Sequence, residues 1–184
     1  APISEMNCVR KHLSGVKGGR LALAAYPARV VSLIVSDVPG DDPTLVASGP
    51  TAADPTSAAS ALAVLQKYNV AAPESVMRWL GDPASETPKP GEPLLARAEN
   101  RIIATAKASL EAAARVAEAK GYTSMVLGDA IEGEAREVAR EHAALAMRLL
   151  EGGKPIALIS GGETTVTVKG KGRGGRNAEY LLAL

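Results

Sequence analysis

Apolar residues recur at helical spacing over residues 3–13. After the basic glycine turn SGVKGG, a second, shorter helix is predicted from about Arg20. Residues 28–35 (ARVVSLIV) form a nearly continuous β-branched run, the pattern of a strand buried on both faces. A long stretch rich in turn residues follows, SDVPGDDPTLVASGPTAADPT. Structureless loops of more than about 12–15 residues are uncommon in compact domains and are usually functional or disordered. Helices are predicted over residues 56–68, with Asp54-Pro55-Thr56 as the capping signal, and over residues 73–80.

The segment GDPASETPKPGEP has four Pro and two Gly in thirteen residues and breaks all periodicity, so it reads as a linker or domain boundary. Beyond it the chain alternates. Strands are predicted at 101–105, 122–127 and 155–160, with helices at 106–120 and 133–150 between them. This β-α-β-α-β order predicts a parallel sheet with right-handed crossovers. Thr-Val-Thr-Val at 165–168 reads as a further, more exposed strand, and KGKGRGGRNAEYLLAL as a glycine loop entering a helix.

Composition narrows the function classes. The 184 residues carry 21 Lys and Arg against 20 Asp and Glu, and 3% aromatics, so neither a basic face nor stacking rings for nucleic acid are in view. The KGKGRGGR stretch alone does not outweigh that balance. No apolar run reaches about 18 residues and no signal-type apolar segment opens the chain, which predicts a cytoplasmic protein without a membrane span. A single Cys, Cys8, excludes an intrachain disulfide and a Cys-based zinc site, and it reads as a small buried hydrophobe. With no Phe, the core has to be built from Ala, Val, Leu and Ile. The chain starts without Met and stops on an uncapped apolar helix turn, which predicts a fragment of a longer protein.

Four loops combine glycine with charge at the edge of a predicted element. Lys17-Gly18-Gly19-Arg20 opens a helix, where free amides and the dipole favour an anion; an ordinary glycine turn with solvated cations explains it at least as well. Ser36-Asp37-Val38-Pro39-Gly40-Asp41-Asp42 follows a strand end, where open α/β sheets place ligands. Its three carboxylates suit a cation such as the Mg²⁺ of a nucleotide, or else simple solvation. Ser160-Gly161-Gly162-Glu163-Thr164-Thr165 ends another apolar strand; it reads either as close backbone approach to a ligand or as a hairpin turn. Gly170-Lys171-Gly172-Arg173-Gly174-Gly175-Arg176-Asn177 matches GxGxxG between a strand and a helix, the context that gives that pattern meaning. Its three cations in seven residues suit phosphate, and Arg176 stands at a helix entrance where the dipole opposes a cation, which favours a functional reading. No GxxxxGK[ST], GxSxG or protein-kinase motif set is present, and neither His12 nor His142 has an obvious nucleophile partner in sequence.

The segments NCVRKHLSGVKGGRLA, SLIVSDVPGDDPTLVASGPTAADPT, SGGETTVTVKGKGRGGRNAE and the GEA of GDAIEGEAREVA together resemble the class II glycerate kinases. These are glycerate 2-kinases with a C-terminal MOFRL domain, some of them labelled hydroxypyruvate reductases. The resemblance runs over essentially the whole chain in motif order. It implies an α/β fold with a Rossmann-like parallel sheet region plus part of a second α/β, MOFRL-type domain. Residues 1–95 would belong to the N-terminal kinase domain and 96–184 to the start of the C-terminal one, with an active site in the cleft between domains. It also implies ATP and Mg²⁺ as cofactors and transfer of the γ-phosphoryl group to the 2-hydroxyl of D-glycerate, giving 2-phosphoglycerate.

Carried onto this sequence, the resemblance makes Arg176 and Asp37 the catalytic candidates, with Asp37 and Asp41 as metal ligands. Lys17, Gly18, Gly19, Arg20, Gly172, Gly174, Gly175 and Asn177 would bind phosphate or nucleotide. Ser36, Gly161, Gly162, Glu163 and Thr164 would bind substrate. A homodimer is a further expectation, with neither nucleic acid nor membrane as partner. The family's glycine-flanked catalytic Lys segment and its DTDG motif are missing from this stretch, so these 184 residues alone are expected to be poorly active or inactive. The competing functions are an NAD(P)-dependent hydroxypyruvate reductase and a non-catalytic module for a phosphorylated ligand.

Overall fold

A computed structural model describes residues 2–38, 40–150 and 152–184. Pro39 of the acidic loop lies outside them. The chain forms two compact units, Ala1–Ile103 and Ala104–Leu184.

In the first unit, helices α1 (Ile3–His12), α2 (Arg20–Ala25), α3 (Ala58–Lys67) and α4 (Glu74–Leu80) accompany strands β1 (Val30–Val35) and β2 (Ala98–Ala104). The α1–α3–α4 contact encloses Cys8, Ala61, Leu65 and Leu80, so Cys8 does serve as a small core hydrophobe. The cap of α3 is Ser57, whose side chain accepts from the Ser60 amide at 3.1 Å, not the Asp54 triplet. Asp54 is instead fully buried, and its Oδ1 accepts from Lys11 Nζ at 3.2 Å, the Thr56 amide at 3.0 Å and the Thr56 hydroxyl at 2.8 Å. Its Oδ2 accepts from the Thr87 hydroxyl at 3.0 Å.

The Pro/Gly-rich segment is not a linker. Ser85 and Thr87 are buried, and the Arg20 guanidinium donates to the carbonyls of Ser85 (2.6 Å), Glu86 (3.1 Å) and Ala84 (3.3 Å). Glu86 reaches back to accept from the Ala58 amide at the start of α3 at 3.1 Å. Proline here fixes two 3₁₀ turns, Pro83–Ser85 and Pro93–Leu95, that are packed onto the unit. Strand β1 also departs from expectation. Its side chains alternate between half-buried and exposed, leaving Val31, Leu33 and Val35 accessible on one face.

The second unit contains α5 (Ala106–Ala119), β3 (Thr123–Ile131), α6 (Ala135–Leu150), β4 (Ile156–Gly162) and α7 (Arg176–Ala183). Strands β3 and β4 pair in parallel, Thr123 opposite Ile156 and Met125 opposite Leu158, and α5 packs on both. The predicted three-stranded parallel sheet is not formed among the described residues. β2 pairs with β1, where the Val30 amide donates to the Arg97 carbonyl at 3.0 Å, and only β3 and β4 form the parallel pair. Nor is the Thr165–Val168 run a strand. Thr165 forms a single bridge to Glu134, and the Thr167 amide and hydroxyl donate to the Glu134 carboxylate at 3.0 and 2.9 Å. Those two donors hold the Glu134 carboxyl below the ordinary carboxylate range.

Gly162 is required by this layout. It has φ +140°, and a Cβ there would overlap the backbone N and O of Ile131. Gly162→Ala is therefore expected to destabilise the protein by at least about 2 kcal/mol. A urea midpoint unchanged from wild type would contradict this.

Candidate functional site

The end of β4 and the start of α7 converge within the second unit. A cavity of about 300 Å³ is lined by Ser160, Gly161, Gly162 and Thr164 from the first and by Arg176, Asn177 and Tyr180 from the second. Ile131, Val138 and His142 complete the wall. Two loops separated in sequence, both singled out by glycine and charge, thus meet at one cavity.

Arg176 is the first residue of α7, preceded by extended Gly175 with no side-chain cap. Its guanidinium pairs with the Glu163 carboxylate. The cation therefore has a counter-charge from the β4 loop at a helix end where the dipole alone would oppose it. Both partners are well exposed, so the pair adds little stability and can be exchanged for another anion.

On the other side of the same corner lies a larger cleft of about 600 Å³, bordered by Lys169, Gly170, Gly172, Arg173, Gly174 and Gly175 of the glycine loop. Glu134, Arg136 and Glu179 form its opposite wall, with Arg136 Nε donating to Glu179 Oε1 at 2.7 Å.

His142 was not singled out by sequence reasoning. Its Nδ1 lies 2.7 Å from the Tyr180 hydroxyl, with the rings edge-on at a centroid distance of 5.9 Å. The available signal was the position of His142 on an amphipathic helix, fourteen residues before the start of the apolar strand that ends in the glycine pair. That spacing names no partner.

The candidates in the first unit are placed differently. The Gly18 and Gly19 amides donate to the carbonyls of Ser48 (3.0 Å) and Gly49 (2.7 Å), and Lys17 Nζ donates to the Ala47 carbonyl at 3.1 Å. The two glycine amides and Arg20 Nη2, which serves three carbonyls, are thus occupied by the chain itself, while the buried Arg20 Nε has no partner among the described residues. Ser36 is buried and its hydroxyl donates to the Val38 carbonyl at 3.3 Å. Asp37 is exposed, Asp41 has a left-handed φ of 53°, and Asp42 Oδ1 accepts from the Thr44 amide at 2.8 Å. Among the described residues, no three His, Cys, Asp or Glu side chains gather closely enough to hold a metal ion. Asp37 and Asp41 thus belong to no three-ligand cluster for Mg²⁺ among the described residues. No helix among the described residues is long and apolar enough to cross a membrane.

Comparison with known proteins accounts for both units. Residues 1–81 match DUF4147, a domain of unknown function, and residues 156–184 match the MOFRL family. The two matches stand at opposite ends of the chain, in that order. It is 42% identical over 189 residues to the D-glycerate 2-kinase of Thermotoga maritima, covering 100% of this chain and 43% of that protein. A relative in Agrobacterium vitis, provisionally named a hydroxypyruvate reductase, is 51% identical over 190 residues, covering 100% of this chain and 42% of the relative. The crystal structure of the Thermotoga maritima glycerate kinase superposes with a TM-score of 0.81 at 41% identity, again over 100% of this chain and 44% of that one. The chain therefore spans less than half the length of these relatives, and its α/β class is that of the Thermotoga maritima structure.

Proposed function

We propose that the full-length protein is a glycerate kinase that transfers the γ-phosphoryl group of ATP to the 2-hydroxyl of D-glycerate. The observation that carries this reading is Arg176 at the rim of a small polar cavity, supported by the glycerate kinases among the relatives. Phosphoryl transfer requires positioning and neutralisation of charge spread over the equatorial oxygens more than covalent help from the protein. The Arg176 fork can leave Glu163 and take two phosphoryl oxygens, a bidentate contact that a Lys could not reproduce. Gly161, Gly162, Thr164 and Asn177 shape the cavity in which the acceptor acid would sit.

The glycine loop at the larger cleft, with Gly172, Gly174 and Gly175 flanked by Lys171 and Arg173, suits the anionic tail of a nucleotide. Asp37 and Asp41 are the acidic candidates toward Mg²⁺, which would neutralise phosphate charge when bound. Among the described residues these two carboxylates do not complete the ligand set of that ion.

ATP consumption by the full-length protein with D-glycerate and Mg²⁺, with the product identified by NMR, tests the reading. Formation of 2-phosphoglycerate is the expected result. NADH or NADPH oxidation with hydroxypyruvate and no ATP turnover would overturn it in favour of the reductase, the alternative that the name of the Agrobacterium vitis relative favours.

A further inference from the structure

We infer that His142 contacts the acceptor acid directly, donating from Nε2 to its carboxylate, with Tyr180 as the positioning residue that fixes the imidazole tautomer. This rests on the kinase reading above for the identity of the acid.

A hydrogen bond joins Nδ1 of His142 to the Tyr180 hydroxyl. At 2.7 Å it lies at the short limit for an N–H donor but in the ordinary range for an O–H donor. Phenol is also the better donor of the two, and an unprotonated imidazole nitrogen the better acceptor. Tyr180 therefore donates, Nδ1 accepts, and the neutral ring carries its proton on Nε2. Among the described residues Nε2 has no hydrogen-bond partner, and it is not among their buried unpaired atoms. A donor left open in this way, on a residue that lines the cavity, is available to a ligand.

The cavity supplies the rest. Its volume of about 300 Å³ sits at the lower end of ligand pockets, a size for a small acid rather than a nucleotide. The reacting group of such an acid lies toward Arg176, which leaves its carboxylate as the second anionic group to be recognised. Ile131 and Val138 are apolar, and Ser160, Thr164 and Asn177 are neutral. Besides Arg176 and the Asn177 amide, His142 Nε2 is the side-chain nitrogen donor of the wall. α6 and α7, which carry His142 and Tyr180, pack against each other within the unit, so the pair is held by helices rather than by a loop.

The test uses the full-length protein and does not depend on turnover. Calorimetric titration with D-glycerate is expected to show affinity falling about 10-fold or more in His142→Gln, the loss of one hydrogen bond to a charged group. The loss on glycerate KM should far exceed that on ATP KM. In ¹⁵N-histidine-labelled protein, the resonance absent from His142→Gln should report protonated Nε2 and unprotonated Nδ1. Tyr180→Phe should scramble that tautomer and weaken glycerate binding less than His142→Gln does.

Glycerate affinity within twofold of wild type in His142→Gln, or a proton on Nδ1 in the wild type, would overturn the inference. So would a fall in kcat of about 100-fold with the acidic limb of the pH profile lost and glycerate affinity intact, because that result makes His142 a general base. If the wild type binds D-glycerate through His142 but turns over no ATP, the kinase reading fails and the contact stands.

Discussion

Arg176→Ala in the full-length protein is expected to lower glycerate-dependent ATP turnover by about 10³-fold or more. The effect is electrostatic. The guanidinium stands at the first residue of α7, where the helix dipole disfavours a cation, and it pairs with Glu163, an exposed partner. An exposed ion pair contributes about 0–1 kcal/mol, so stability alone gives little reason for an Arg at this position. A charge that develops on a phosphoryl group does. Arg176→Lys should recover little of the loss, since an ammonium keeps the charge but cannot form two parallel bonds to the transferring group. The measurement is kcat at saturating ATP and D-glycerate, with the urea midpoint as a control for folding. A loss of less than about fivefold would remove Arg176 from the mechanism.

The second large effect is on stability. Lys11 and Asp54 form a buried pair, with side-chain exposures of 3% and 0%. Burial pushes the Asp54 carboxyl up, but the Thr56 amide and hydroxyl, and then the Lys11 charge, outweigh it and hold the group below the ordinary carboxylate range. Lys11→Met leaves that carboxylate buried without its cation and is expected to cost about 3–5 kcal/mol, read as a lowered urea midpoint. Lys11→Met combined with Asp54→Leu should recover part of the loss, because the uncompensated charge is gone. The sign of the pH dependence follows from the lowered pKa. The stability contributed by Asp54 is complete above the unfolded carboxylate range, about 4, and is lost as pH falls through the lower folded value. Glu86 acts in the same direction. Burial raises its carboxyl, but Lys89, the Ala58 amide and His12 together lower it. Acid titration of wild type should therefore show a steeper loss than Asp54→Asn, and equal slopes would contradict the Asp54 assignment.

Helices were the most legible part of the fold. The sequence predicts 3–13 without a convincing cap, and 106–120 and 133–150 with glycine stops, close to α1, α5 and α6, because these signals act within a few residues. The Pro/Gly-rich segment misled for a physical reason. Its composition reports turns, but not that Ser85 and Thr87 are buried, which depends on a hydrogen bond from Arg20 to the Ser85 carbonyl and one from the Thr87 hydroxyl to Asp54, both partners far away in sequence. β2 reads as a strand and lies close to its predicted position. Its partner could not be read, since pairing is a choice among strands and the β-α-β order points toward β3. His142 and Tyr180 are 38 residues apart and carry no shared motif, so only the packing of α6 on α7 brings them together.

The sequence by itself determined the α/β class, the helix positions, the family resemblance and the two glycine–charge loops that meet at the cavity. Those properties reside in local patterns of side-chain polarity, turn chemistry and motif order. Tertiary structure decided which donors remain free. It closed the Lys17–Arg20 loop on the chain's own carbonyls, buried Asp54 against Lys11, and brought Arg176, Asn177 and His142 to a single cavity. A hydrogen bond joins whichever groups the fold brings within about 3 Å, and spacing along the chain does not set that distance for residues tens of positions apart.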